Sequence, residues 1–185
     1  MENMLDKSLL EKCTKYTFLS LILIFSACDK VDELTKFDMD YTTEVVVPSS
    51  TGVNLPINLM SPEIESNTSS TFEVNDTRKN LVEEINLTDL ELTITSPSDG
   101  NFNFLKSIEV FIVAEGLSEE RIAWKEDISS SDRQELILET TDANIKEYIL
   151  KDEFQLRVKT VTDEVITSDH HIEVFANFFV NATLI

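Results

Sequence analysis

The sequence predicts an all-β protein, an antiparallel β-sandwich of about seven to nine strands. Apolar residues recur at every second position in many short runs, which is the pattern of strands with one face on a core. Turn-forming residues separate these runs, as in a sandwich or barrel of short strands. Apolar residues three and four positions apart, the pattern that is typical of a helix, stand out in one short stretch only.

The amino-terminal runs begin with Val45 and Val47, and a second run contains Pro56. Proline cannot donate a hydrogen bond to a neighbouring strand, so this second run is predicted to be an edge strand. Two longer series follow, and their inward-facing residues are Leu90, Leu92 and Ile94, then Ile108, Val110, Ile112 and Ala114. The last series has Phe111 and Val113 on its other face, so we expect a central strand there.

Further strands are predicted at 121–125, 136–138, 154–159 and 171–183, with turns at 97–101, 129–132 and 162–164, the last as a hairpin tip. One short helix is predicted near 142–151, since Ile145, Tyr148 and Ile149 fall on one helical face. In an immunoglobulin-like sandwich with Greek-key connections, such a segment crosses from one sheet to the other. The segment 75–84 fits either a second short helix or an acidic loop.

Composition limits the classes of partner. The 185 residues include 15 Lys and Arg against 35 Asp and Glu, which gives a formal net charge of -20. Nucleic acid is therefore excluded as an expected partner, because phosphate binding needs clusters of basic residues. Hydrophobic residues make up 42% of the chain, which is typical of a globular domain.

A short apolar run at 18–25 precedes the small residues Ser26 and Ala27 and then Cys28. The run is too short to span a membrane, which takes about 20 apolar residues. Three lysines lie ahead of it, and the whole segment has the order of a secretory signal peptide. We therefore predict a signal peptide at 1–27, with translation beginning at Met1 or Met4, and a mature protein that begins at Cys28.

The residues Phe25, Ser26, Ala27 and Cys28 resemble the bacterial lipobox. This resemblance implies that Cys28 is diacylated on its sulfur and anchors the protein to a membrane. Lys30, Asp32 and Glu33 are similar to the export signal of surface lipoproteins of the Bacteroidota. The resemblance implies a lipid anchor in the outer membrane, with the domain either in the periplasm or exposed at the cell surface.

The remaining chain divides into two parts. Residues 28–37 are charged and without periodicity, which predicts a flexible tether, and 38–185 form a single β-sandwich domain. With Cys13 removed and Cys28 lipidated, the domain has no thiol for a disulfide, a metal site or a nucleophile. Its stability is expected to come from its apolar core alone.

The sequence contains few groups for catalysis. His170 and His171 are adjacent, so on a strand they point to opposite faces and cannot bind one metal together. Glycine occurs three times, which argues against a phosphate-binding loop. We expect that the protein is not an enzyme and that it has no cofactor.

Structural calcium is a minor alternative, because calcium takes oxygen ligands from loops. Its candidate donors are Asp38, Asp40, Asp99 and Asn101.

Exposed aromatic residues are the remaining candidates for a recognition surface. Phe175 and Phe179 alternate with the inward residues of the last strand, and Trp124 lies between charged residues. We predict these three as a partner-contact face for a protein or a glycan.

The leading interpretation of the whole protein is a membrane-anchored, non-catalytic binding or adhesion module. The alternatives are a structural accessory subunit of an outer-membrane transport or secretion complex, and a polymer hydrolase with two facing carboxylates.

Overall fold

A computed structural model describes residues 35–49, 56–128 and 133–183 of the protein. The described chain contains ten strands: β1 Lys36–Val47, β2 Pro56–Met60, β3 Ile64–Glu65, β4 Val82–Ser96, β5 Leu105–Val113, β6 Glu120–Lys125, β7 Glu135–Ile137, β8 Glu139–Thr140, β9 Glu153–Thr162 and β10 His170–Ala182. Two helices, α1 Thr68–Val74 and α2 Lys146–Ile149, and two short 3-10 turns, Lys79–Leu81 and Phe102–Phe104, complete it.

The strands form two antiparallel sheets around one apolar core, so the predicted sandwich is confirmed. The smaller sheet has the strand order β1-β10-β4-β7. The larger sheet has the order β2-β9-β5-β6-β8, and β3 also pairs with β9. The strand number exceeds the predicted seven to nine because β3 and β8 are pieces of two residues each.

Burial follows the alternation of the sequence. In β5 the inward residues Ile108, Val110 and Ile112 are at most 3% exposed, and the strand lies between β9 and β6. The predicted central strand is therefore confirmed. β2 begins at Pro56 and ends the larger sheet, which confirms the predicted edge.

Helix α2 lies within the predicted range, with Ile145 before it and Ile149 in it both fully buried. It packs at an end of the sandwich, where the Ile145 backbone N–H donates to the Ile85 carbonyl of the smaller sheet at 2.9 Å. The strands that it joins, β8 and β9, both belong to the larger sheet. The predicted crossing from one sheet to the other therefore does not occur in this connection.

Three other expectations are corrected. The tether is predicted to extend to residue 37, but β1 begins at Lys36, because Lys36 and Phe37 already pair with Asn181 and Val180 of β10. The Phe37 ring also packs edge-on against Phe72 of α1 at 5.9 Å. The predicted hairpin tip at 162–164 connects β9 to β10, which lie in different sheets. The segment 75–84 is neither a helix nor a loop throughout, since it contains a 3-10 turn and the start of β4. The predicted turn at 129–132 lies outside the described residues.

Candidate binding surfaces

The structure divides the predicted aromatic face between two sheets. Phe175 and Phe179 lie on β10 in the smaller sheet, whereas Trp124 lies on β6 in the larger sheet. Phe175 and Phe179 alternate with buried residues of β10, and Trp124 pairs with Glu109 and Glu139, so all three point away from the core. The three residues do not form one surface, because the outer faces of the two sheets point in opposite directions. Cys28, the predicted lipidation site, lies outside the described residues.

A row of large side chains crosses the outer face of the larger sheet. The register aligns Met60 of β2, Arg157 of β9, Phe111 of β5 and Arg121 of β6. Directly opposed side chains on one face of a sheet lie about 5 Å apart and interact. Phe111 is therefore flanked by an arginine on each side, and Met60 ends the row with 47% of its surface exposed.

Arg157 is the most highly connected side chain of this row. Its Nε and Nη2 donate to the two carboxylate oxygens of Glu119 at 2.6 and 2.8 Å, and its Nη1 donates to Asn58 Oδ1 at 3.0 Å. The guanidinium carbon lies 4.3 Å from the centre of the Phe111 ring. These contacts leave 18% of the side chain exposed, so the guanidinium is held in one orientation.

The next row contains Trp124, the one tryptophan of the chain. It aligns Asn58, Lys159, Glu109, Trp124 and Glu139 across five strands. Glu109 accepts hydrogen bonds from Lys159 at 2.8 Å and from Arg121 at 3.1 Å. The Arg121 guanidinium in turn lies 5.1 Å from the Trp124 ring centre. The two rows are thus joined into one network, and we call Phe111, Arg121, Trp124 and Arg157 the aromatic–arginine surface.

The hydrogen bond from Lys159 is the main cause that lowers the pKa of Glu109 below its usual value of 4.5, and the one from Arg121 adds to this effect. A carboxylate with a lowered pKa in the folded state stabilises the protein above its unfolded pKa, and this contribution is lost as pH falls through the folded value.

We expect Glu109→Gln to lower the free energy of unfolding at pH 7 by about 1 kcal/mol or less, because the pair is partly solvated. The difference from the wild type is expected to shrink as pH falls from about 5 to about 3. Urea denaturation at several pH values measures it. A difference that stays constant over this range would show that Glu109 acts through packing instead of charge.

The outer face of the smaller sheet has a different chemistry. Eight carboxylates share this face: Asp38, Asp40, Glu44, Glu84, Asp89, Glu91, Glu135 and Glu173. The register places Phe175, which is 36% exposed, between Thr42 and Glu91, and places Ile137 beyond Glu91. The apolar side chains of this face therefore stand among carboxylates.

The four candidate calcium donors do not form one site. Asp38 and Asp40 pair with Phe179 and Asn177, toward the end of β10, whereas the loop of Asp99 packs near His170 at its start. The side-chain oxygen of Asn101 accepts a hydrogen bond from the Asn103 backbone. Within the described ranges, no three His, Cys, Asp or Glu side chains are grouped in a way that could hold a metal ion.

The two histidines point to opposite faces, as predicted. His170 is 8% exposed, its ring centre lies 4.7 Å from that of Phe104, and its Nδ1 lies 2.9 Å from the Ser168 carbonyl. His171 is on the outer face, where its Nδ1 lies 3.0 Å from Glu44 Oε1. Each ring therefore has a local structural partner.

A polar groove opens where the chain passes from β6 of the larger sheet to β7 of the smaller one. Its volume is about 1010 Å³, and its lining includes Asp99, Lys125, Asp127 and Gln134. Lys125 Nζ donates to the Ile137 carbonyl at 2.8 Å and so bridges the two sheets. Ile128 and Arg133, the described residues on either side of 129–132, also line the groove.

Fold and surfaces together define an antiparallel β-sandwich with two chemically different outer faces. No family model matches the chain, and no curated protein matches it significantly. Solved structures with a similar fold include a chain of Desmodium yellow mottle tymovirus, with 9% identity over 81% of this chain and 84% of that one and a TM-score of 0.30.

A second similar structure belongs to the carbohydrate-binding modules of the β-sandwich superfamily, with 12% identity over 81% of this chain and 56% of that one and a TM-score of 0.30. A third, from turnip yellow mosaic virus, has 12% identity over 80% of this chain and 95% of that one and a TM-score of 0.28. In the described ranges, no helix is long and apolar enough to cross a membrane.

Proposed function

We propose that the protein is a lipid-anchored, non-catalytic binding module of the bacterial envelope, and that it binds a protein partner through the aromatic–arginine surface. The observation that carries this proposal is the network around Arg157 and Phe111 on the larger sheet. Protein interfaces are enriched in aromatic residues, methionine and arginine, and their binding energy is concentrated in tryptophan, tyrosine and arginine. The two rows combine these residue types on one flat face.

Preorganisation supports the same role. A side chain that is ordered only on binding loses conformational entropy, which weakens association by about 0.5–1.5 kcal/mol for each long side chain. Arg157 and Arg121 are already ordered by carboxylates and aromatic rings in the free protein. The conformational entropy of these two side chains has therefore already been lost on folding, and a partner that contacts them does not have to order them.

A protein partner fits this surface better than a glycan. Sugar rings bind to aromatic side chains by stacking on an open ring face. The guanidinium groups of Arg157 and Arg121 lie over faces of Phe111 and Trp124, at 4.3 and 5.1 Å from the ring centres. The exposed features are thus the Arg121 side chain at 45%, the Glu119 side chain at 49% and Met60 at 47%, which suit a polar and apolar protein surface.

The proposed anchor restricts where binding takes place. Eight residue steps separate Cys28 from Lys36, the first residue of β1. Even a fully extended chain of this length reaches about 28 Å. With Cys28 acylated in the outer membrane, the domain stays close to the membrane surface and meets partners of the periplasm or of the cell exterior, depending on the leaflet.

Site-specific photo-crosslinking in intact cells tests the proposal. A photoreactive amino acid at Met60 is expected to crosslink a defined partner protein, and one at Phe175 on the opposite sheet is not. Arg157→Ala in the Met60 variant is expected to lower the crosslinked fraction about ten-fold or more, as for an interface hot spot. Arg78→Ala, at an exposed arginine away from this face, is the matched control and should change nothing.

Two results would contradict the proposed surface. Crosslinks from Met60 that survive Arg157→Ala would show that the surface does not determine binding. Adducts that carry glycan instead of protein would replace the protein partner with a carbohydrate one. Melting curves of both arginine variants show whether the fold is intact.

A role as an accessory subunit of an outer-membrane complex is the second candidate. The observation that favours it is the exposure of Phe175 at 36% and of Ile137 at 62% in one row of the smaller sheet. Crosslinks from Phe175 to a membrane complex, with none from Met60, would support this role over the first.

A further inference from the structure

Strand β1 is the longest edge of the sandwich. Among the described residues it pairs with β10 alone, through twelve consecutive residues without a register shift. The other strands that end the sheets are shorter: β7 has three residues, β8 has two, and β2 has five with Pro56 at its start. Of the usual protections of an edge strand, β1 lacks short length, proline and bulges, and its protection consists of charged side chains.

The hydrogen-bond pattern shows which backbone groups of β1 point away from the sheet. The Ala182 N–H donates to the Thr35 carbonyl at 3.1 Å, and in an antiparallel ladder such bonded positions alternate. The odd-numbered residues of β1 therefore face β10. The even-numbered residues, among them Asp38, Asp40, Thr42 and Glu44, direct their N–H and C=O groups to the edge.

Three of the six even-numbered residues carry negative charge on the outer face, and Lys36 at the start of the strand carries a positive one. Asp38, Asp40 and Glu44 are all exposed, and Glu173 lies beside Glu44 on β10. On the inner side, Phe37 and Tyr41 are partly buried and pack against the core from the edge. A strand added to β1 thus meets carboxylates on one of its faces and half-covered aromatic side chains on the other.

A second copy of the chain does not fit this edge. Residues opposite each other in a sheet share a face, so two β1 strands can pair antiparallel only in certain registers. The two registers with the longest overlap place Asp38 or Asp40 directly opposite Glu44 of the other copy. Like charges at this distance are destabilising, and a parallel pairing in register would place each carboxylate next to its own copy.

We propose that the free edge of β1 binds an extended segment of a partner protein by strand addition, and that this segment alternates basic with apolar residues. The basic residues lie opposite Asp38, Asp40 and Glu44 and form ion pairs across the new strand pair. The apolar residues cover Phe37 and Tyr41. The backbone bonds supply affinity, and the alternating side chains supply selectivity. This inference concerns a different surface from the aromatic–arginine surface and does not depend on it.

The test uses an eight-residue peptide of alternating lysine and valine, blocked at both ends and labelled with a fluorophore. Fluorescence anisotropy measures its binding to the full mature protein in detergent micelles. We expect Thr42→Pro to weaken binding about ten-fold or more, because proline removes an edge-facing N–H while the bonds to β10 remain. Thr42→Val keeps that N–H and is expected to bind within about two-fold of the wild type.

Charge is tested separately. The double variant Asp38→Asn with Asp40→Asn is expected to weaken binding several-fold and to reduce its dependence on salt. The matched control, Glu115→Gln with Glu126→Gln, removes two exposed carboxylates from loops beside the larger sheet and should not change binding. Trp124→Ala should also leave binding unchanged, which separates this edge from the proposed interface of the larger sheet.

The decisive comparison is between two peptides that bind the wild-type protein, so it does not depend on whether a variant folds. Methyl groups on the lysine backbone amides of the peptide remove its donors to β1 and keep its charge. Loss of binding by this peptide to the wild type would support strand addition. Equal binding of both peptides, or no binding of the unmethylated peptide at all, would overturn the proposal.

Discussion

Phe178→Ala is expected to lower the free energy of unfolding by about 3–5 kcal/mol, the range for removal of a large aromatic side chain from a core. Phe178 is fully buried on β10. Its ring centre lies 5.7 Å from that of Tyr41 and 6.3 Å from that of Phe154, and Tyr41 and Phe154 are themselves 5.2 Å apart. All three pairs are edge-on, which is a favourable aromatic geometry.

The position of these rings explains why the loss is large. Tyr41 and Phe178 belong to the smaller sheet and Phe154 to the larger one, so the cluster joins the two sheets. Its loss leaves a cavity between rigid sheets that cannot close without moving strands. A domain of this size has a total stability of about 5–15 kcal/mol, so the variant loses a large part of it.

The chain offers a matched control in the next residue. Phe179→Ala removes the same side chain from the outer face, where the ring is partly exposed, and is expected to cost less than about 1 kcal/mol. Urea denaturation of both variants measures the two values. A larger loss for Phe179→Ala than for Phe178→Ala would show that the burial pattern of β10 is shifted by one residue.

The alternation of the sequence is sufficient to predict which side chains of β4, β5 and β10 are buried. Period two is a local property, and β10 shows it along its whole length. In β4 it holds from Leu90 to Ile94 and in β5 from Ile108 to Ile112, and bulges interrupt it earlier in both strands. Helix α1 has no such signal, because Phe72 is its one buried apolar side chain and Val74 is 83% exposed. Its position depends on the contact of Phe72 with Phe37, which is distant in the sequence.

The aromatic–arginine surface could be predicted in part only. The alternation places Phe111 away from the core, whereas strict period two would put Trp124 on the face of the buried Ile122. A β-bulge at Ile122 turns Trp124 to the outer face instead. Their partners depend on strand order and register, which bring Arg157 to Glu119, 38 residues away, and to Asn58, 99 residues away. Such pairings are nonlocal and leave no periodic signal. For the same reason the grouping of Trp124 with Phe175 and Phe179 could not be tested before the strands were assigned to sheets.

Cys28→Ala is expected to abolish lipid labelling of the protein and its association with membranes. Cells fed a palmitate analogue would label the wild type and leave the variant unlabelled, because the thiol that carries the diacylglycerol is absent. The variant would either accumulate as the unprocessed precursor or appear in the soluble fraction. Cys13→Ala is the matched control, since Cys13 lies inside the predicted signal peptide and its loss should change neither labelling nor processing.

Addition of protease to intact labelled cells then tests on which side of the proposed outer-membrane anchor the domain lies. Cleavage of the wild type would place it at the cell surface, so that the partner of the aromatic–arginine surface is extracellular. A labelled and protected protein would direct the search to periplasmic partners. Unchanged labelling in Cys28→Ala would contradict the lipid anchor itself, because two acyl chains explain stable membrane association and no helix of the described residues can replace them.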